Sequence, residues 1–234
     1  MEWWERRRFL VLLVTLVVSL VCYPLLHDTL QAHILSDVLF LFVFAAAFRV
    51  VFGKGRSRLL ALLLGIPPLV GLWTGYVLPG LPRSPMAIGL HLFAALFLSY
   101  AVATILSSIL REKVVTADSI YGAFCGYLLI GMVFGHLDCV IEIAIPGSFR
   151  GDTDFTNQLQ IEHHRHFLLT YFSFITLTTV GFGDVVPIKS AARGMTMVEA
   201  VVGQFYVVVL IAELIGKKVA QAITGPESDS KGPV

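Results

Sequence analysis

The stretch TLTTVGFGD, Thr176–Asp184, interrupts a chain whose other apolar runs are long and nearly free of charge. Two glycines and three β-branched threonines weaken any helix here, since a single glycine costs about 1 kcal/mol relative to alanine. The residues leading in, HFLLTYFSFITLTT (His166–Thr179), are apolar and of helix length. At 1.5 Å per residue they reach about 21 Å, short of the roughly 30 Å hydrocarbon core. Such a helix enters a bilayer without crossing it, and the chain must climb back out through VGFGD with no helical hydrogen bonds. Bare backbone at membrane depth is tolerated only where it is buried in protein or lines an aqueous cavity. Gly181 and Gly183 adopt positive φ at low cost, so alternating residues can turn successive carbonyls toward one axis.

The totals agree with a bilayer as solvent. Hydrophobic residues make up 56% of the 234 and charged residues 14%, where a soluble domain carries about a quarter. Mean hydropathy is +0.81. A formal net charge of +1 gives no reason to expect a nucleic-acid partner. Cys22, Cys125 and Cys139 fall in apolar or near-apolar segments, an odd count without metal-ligand spacing, so they read as small embedded side chains. No nucleophile, general base or cofactor motif is visible, which argues against an enzyme.

Six apolar helices are expected at about 9–26, 36–52, 59–79, 86–110, 117–143 and 191–216. The first follows ERRR but is too long for a signal peptide and lacks a small-residue cleavage site. Pro67 and Pro68 remove amide donors within the third and should kink it. With the N-terminus inside, 12 of the 17 lysines and arginines fall on cytoplasmic segments, which sets the orientation and puts 144–190 outside. The tail from Ala220, AQAITGPESDSKGPV, is expected to be disordered.

TTVGFGD resembles the filter signature of potassium channels. The likeness extends through YFSFITLTTVGFGD and VVP to a last helix that contains a glycine. It implies an all-α membrane protein: six transmembrane helices, a re-entrant pore helix and a selectivity filter in a four-fold tetrameric pore. Carbonyls of Thr179, Val180, Gly181 and Phe182, with the Thr179 hydroxyl, would replace the hydration shell of K⁺, and Gly183 completes the filter. Thr178, Tyr171 and Asp184 would support it. One filter per chain makes a homotetramer the simplest assembly. The domains expected are a four-helix membrane domain (1–112), a pore domain (113–218) and a disordered cytoplasmic tail (219–234). The layout resembles small bacterial members of the family, which implies a plasma (inner) membrane.

Two positions depart from the family pattern. Phe182 replaces a common tyrosine, and Ile175 stands where some relatives have a glutamate that partners the filter aspartate. Tyr171 is then the best remaining partner for Asp184. A filter held less firmly, prone to collapse at low external K⁺, is expected.

On the last helix, Gly203 is either a hinge or a packing glycine. Steps of three and four from it give Tyr206 or Val207, Leu210, Glu213 or Leu214, and Lys217 as gate and cavity candidates. Four copies of Glu213 would concentrate cations, or Glu213 pairs with Lys217 at i,i+4. Glu199 is expected to hydrogen-bond behind the filter. Gly122, Gly126, Gly131 and Gly135 form two G-x-x-x-G pairs for close packing on the pore helix and a neighbouring subunit. Thr116 or Asp118 should cap the fifth helix.

The fourth helix, MAIGLHLFAALFLSYAVATILSSIL, has no arginine, and its side chain titrating near neutrality is His91. Each charge crossing the field supplies about 2.3 kcal/mol per 100 mV, so steep voltage gating is not expected. Glu162 and His163–His166 raise external proton sensing against a plain solvated turret. The function read from the sequence is passive, K⁺-selective conduction, with permeant K⁺, lipid and further copies of the chain as partners and no cofactor. A weakly selective cation channel and a non-conducting regulatory subunit stay open beside it.

Overall fold

The computed structural model describes residues 8–25, 30–51, 57–77, 83–112, 114–151, 159 and 162–224. Its helices are α1 (Arg8–Leu25), α2 (Leu30–Val51), α3 (Ser57–Val77), α4 (Arg83–Arg111), α5 (Ala117–Ala144), α6 (Glu162–Leu177) and α7 (Ser190–Thr224). Strands β1 (Phe149–Arg150) and β2 (Val186–Pro187) pair antiparallel, with Phe149 opposite Pro187 and Arg150 opposite Val186.

Pro85–Arg111, Ala117–Ala144 and Ser190–Ile223 are each long and apolar enough to cross a membrane. Phe9–Cys22, Val38–Val51 and Leu59–Gly71 are shorter apolar helical stretches. Pro67 and Pro68 both lie inside α3. Helix α7 runs on to Thr224, so residues 219–224 are helical where the sequence suggested a disordered tail. VAQAIT contains good helix formers, and the Gly225–Pro226 pair that stops a helix comes only after it. The remaining tail, 225–234, lies outside the described residues.

One apolar core joins α1, α2, α4 and α5, with Ala61 of α3 and Leu210 of α7. Phe9, Leu12, Leu16, Phe44, Phe97, Leu98, Ile109 and Leu129 are buried in it. Phe97 stacks on Phe44 with ring centroids 4.9 Å apart and meets Phe48 at 4.7 Å, within the range of favourable aromatic pairs. A second core, Cys139, Phe149, Leu169, Phe172, Val185 and Ala192, sits where α5, α6, β1 and the start of α7 meet. A third, small one holds Ile130, Phe134 and Leu177 under the end of α6.

Helix α5 is the spine on which the others pack, and its glycines explain how. A β-carbon at Gly122 would stand 3.0 Å from Phe9 of α1 and 3.2 Å from Ile109 of α4. At Gly126 it would stand 2.2 Å from the Tyr206 hydroxyl of α7, and at Gly131 2.7 Å from the Phe174 ring of α6. At Gly135 it would meet Thr170 of α6, backbone included, at 2.6–2.9 Å. Both G-x-x-x-G pairs are therefore filled from within the subunit. Thr116 caps the helix: its hydroxyl accepts from the Ser119 amide, and the Ser119 hydroxyl accepts from the Thr116 amide, each at 3.2 Å.

Candidate ion-conduction site

The last turn of α6 ends on a shared acceptor. The Ile175 carbonyl takes the amides of Val180 at 2.9 Å and Gly181 at 3.1 Å, while the Thr178 amide bonds Phe174 O at 3.0 Å. This closes the helix and releases the chain into a non-helical run. Thr179, Gly181 and Gly183 have φ of +60°, +52° and +78°, and among the described non-glycine residues Thr179 alone has positive φ. Val180 and Phe182 between them are negative. The alternation is the backbone pattern that turns successive carbonyls to one side. An L-residue in this region costs roughly 1–2 kcal/mol, so Thr179 is held there by its surroundings. No described residue lies within 4 Å of a β-carbon built on Gly181 or Gly183, so conformation and not space demands glycine there.

The segment is open to its surroundings in a single subunit: Val180 is 52% and Phe182 71% exposed. Thr178 returns its hydroxyl to Phe174 O at 2.6 Å. Beyond the glycines, Asp184 uses both oxygens. Oδ2 accepts from the Tyr171 hydroxyl at 2.6 Å, and Oδ1 accepts the Val185 amide at 3.1 Å. That hydrogen bond, with lesser help from burial, pushes the Tyr171 phenol up to about 12, so it remains a donor across physiological pH. The chain leaving the site is tied down by β1 and β2, and by Ile188 N bonding Ser148 O at 2.7 Å. Glu142, at the end of α5, anchors the same turn by accepting the amides of Gly147, Ser148 and Phe149 at 2.9–3.1 Å.

The base of the segment is gripped from two sides. The Tyr127 hydroxyl of α5 donates to Leu177 O at 3.0 Å, and Leu177 is fully buried. From the other side Gly203 of α7 lies so close that its β-carbon would stand 2.8 Å from Leu177 Cδ1 and 2.9 Å from Leu177 O. Gly203 thus sits where close packing requires a glycine. Neither Tyr127 nor Glu142 stood out in the sequence. A phenol or a carboxylate near a helix end has no distinguishing neighbours until the partner backbone is in place.

On α7 the stepping from Gly203 follows the face turned into the subunit, which corrects the cavity-lining expectation for two side chains. Tyr206 donates to Ala123 O at 2.8 Å and Leu210 is buried in the main core. Val207 is exposed, and Glu213 pairs with Lys217 at 3.1 Å. Lys217 Nζ also donates to Ile109 O at 3.0 Å and Leu110 O at 2.9 Å, capping the end of α4. The outward face of α7 carries Met197, Val201, Phe205, Val208 and Ile215, all more than half exposed in one subunit. The helix is apolar all round, so periodicity could not tell these faces apart.

Three histidines meet near the start of α6. His91 Nδ1 of α4 and His136 Nδ1 of α5 are 2.9 Å apart, and His166 of α6 packs on His136 with ring centroids at 4.4 Å. Phe40 of α2 presents its edge to His136 and His166 at 5.6 and 5.7 Å. His166, from the stretch read as a turret or a proton sensor, therefore shares one aromatic cluster with His91 of the fourth helix. The side chains of Glu162 and His163 lie outside the described residues.

Residues 122–218, from the first glycine of the α5 stripe to the last turns of α7, match the family model described as "Ion channel". No curated protein and no solved structure matches the chain. The matched span contains α6, the segment 178–184 and the whole packing around Leu177, and the family is not a class of enzymes. Residues 122–218 are therefore similar to the ion-channel family, consistent with the potassium-channel resemblance of TTVGFGD.

Proposed function

We propose that this chain is a subunit of a potassium-selective channel that conducts K⁺ passively. The observation that supports it best is the alternating φ at Thr179, Gly181 and Gly183 directly after a helix too short to span. In this reading, carbonyls of Thr179, Val180, Gly181 and Phe182, with the Thr179 hydroxyl, replace the hydration shell of the ion. The C-terminal carbonyls of α6 turn their partial negative charge toward the path. Four copies meet around the axis, which would also cover the apolar outward face of α7. The six apolar helices cross the membrane with both termini in the cytoplasm, as the lysine and arginine distribution favours. The layout suits a bacterial inner membrane. Charge on α4 is confined to Arg83 and Arg111 at its ends, so steep voltage gating is not expected.

The test is the reversal potential of purified protein in planar bilayers, with K⁺ on one side and Na⁺ on the other. Reversal near the K⁺ equilibrium potential, with block by Ba²⁺, supports the reading. Reversal near zero makes the pore an unselective cation channel, and silence in a verified tetramer makes the chain a regulatory subunit or a closed channel.

A further inference from the structure

Behind the segment 178–184, between α5, α6 and α7, lies a set of polar side chains that conduction does not use. Asp138 of α5 and Glu199 of α7 are both at 0% exposure, and Ser173 of α6 is equally buried. Ser173 Oγ lies 2.7 Å from the Gly131 carbonyl oxygen and in hydrogen-bond contact with Glu199 Oε1. Glu199 Oε2 and both oxygens of Asp138 have no hydrogen-bond partner, and neither carboxyl group has an ion-pair partner among the described residues.

Proton counting decides the state of this group. A serine hydroxyl has one proton and two lone pairs, while a backbone carbonyl only accepts. Ser173 cannot donate to Gly131 and to a carboxylate together. Both contacts are hydrogen bonds only when Glu199 is the carboxylic acid, donating from Oε1 to Ser173 Oγ, which in turn donates to Gly131 O. An ionised Glu199 would leave one oxygen–oxygen contact without a proton and a bare charge sealed from solvent, an arrangement with a heavy desolvation cost.

We propose that Glu199 is a proton-binding residue, held as the neutral acid, whose proton fastens the pore-side helix α6 to α5 and α7 through Ser173. The acidic group within electrostatic reach of it is Asp138 on α5, and α6 presents Ser173, which carries no charge. Ser173 stands one turn before Leu177, so the bond fixes the turn that carries the segment 178–184. Glu199 is buried and acts through Ser173, which makes it a positioning residue. Its protonation does not depend on what the pore conducts; its effect on a filter rests on the potassium-channel reading.

The experiment is infrared spectroscopy of the full-length protein in lipid at neutral pH, wild type against Glu199→Gln and Ser173→Ala. Glu199→Gln, whose amide still donates to Ser173, is expected to remove one carboxylic-acid C=O band and to retain the thermal stability that Glu199→Ala loses. Ser173→Ala, which keeps the acid but removes its acceptor, is expected to shift that band to higher frequency. Loss of carboxylate bands in Glu199→Gln, or an unshifted acid band in Ser173→Ala, would overturn the assignment. The second variant decides the matter if Glu199→Gln does not assemble. Reversal near zero in wild-type protein would overturn the potassium-channel reading and leave the bands to decide Glu199.

Discussion

Tyr171 and Asp184 are joined across the filter-like segment by a 2.6 Å hydrogen bond from phenol to carboxylate, which links the middle of α6 to the residue that ends the glycine run. Tyr171→Phe removes the donor and leaves the packing. A bond to a charged acceptor is worth about 1.5–3 kcal/mol when sheltered, and Asp184 is exposed, so a loss of about 1 kcal/mol per subunit is expected. K⁺ flux into liposomes should then fail at a higher external K⁺ than in the wild type. Unchanged tolerance of K⁺ withdrawal would count against the bond as a filter support.

The same pair predicts an alkaline transition. The phenol is raised from an ordinary value of 10 to about 12, so the bound proton stabilises the folded protein fully below pH 10. That contribution is lost as pH rises from about 10 through about 12. Thermal unfolding of wild type and Tyr171→Phe across this range should converge at its upper end and differ by a constant amount below it.

Gly181→Ala and Gly183→Ala should abolish flux without unfolding the subunit. Each places a β-carbon at positive φ, at about 1–2 kcal/mol, while meeting no neighbour within 4 Å in the subunit. Circular dichroism and oligomer size should match the wild type. A flux within a few-fold of wild type for either variant would refute a conducting role for this backbone.

Gly203→Ala is a test of packing against hinge. The new methyl must displace Leu177, so a cost of about 1–3 kcal/mol is expected, as in other overpacked cores. Leu177→Ala removes the Cδ1 half of the clash, and the double variant should be less unstable than the sum of the two. Strict additivity in thermal denaturation would mean that Gly203 acts as a flexible joint and not through this contact.

Lys217→Met should destabilise more than Glu213→Gln. The Glu213–Lys217 pair is partly exposed and worth at most about 1 kcal/mol, whereas Lys217 also satisfies two terminal carbonyls of α4. Equal losses in the two variants, both erased by salt, would assign the effect to the ion pair alone.

The positions of the helices were legible because lipid-facing runs announce themselves by length and lack of charge. The break at Val180–Asp184 was legible because glycine spacing and the short helix before it leave few alternatives. The inward face of α7 was not. Val207, Val208 and Val209 stand side by side, so the helix offers no polar contrast to orient it. What settles its rotation is Gly126 on another helix, which makes room for Tyr206. The double contact of Ser173 is equally hidden, since it needs three helices brought together before its one proton becomes too few. Helix α7 beyond Ala220 was misread because polar composition outweighed the helix-forming run that precedes Gly225–Pro226.

The grip on Leu177 has a mechanical consequence. The Tyr127 hydroxyl holds its carbonyl from one helix, and Gly203 lies against the side chain and the carbonyl of the same residue from another. A sideways displacement of α7 by a fraction of an ångström at Gly203 must be taken up by the backbone that opens into Thr178. In a conducting tetramer, movement of the inner helices and the shape of the narrowest passage would then behave as parts of one lever, so that whatever stimulus bends α7 also sets how well the passage discriminates.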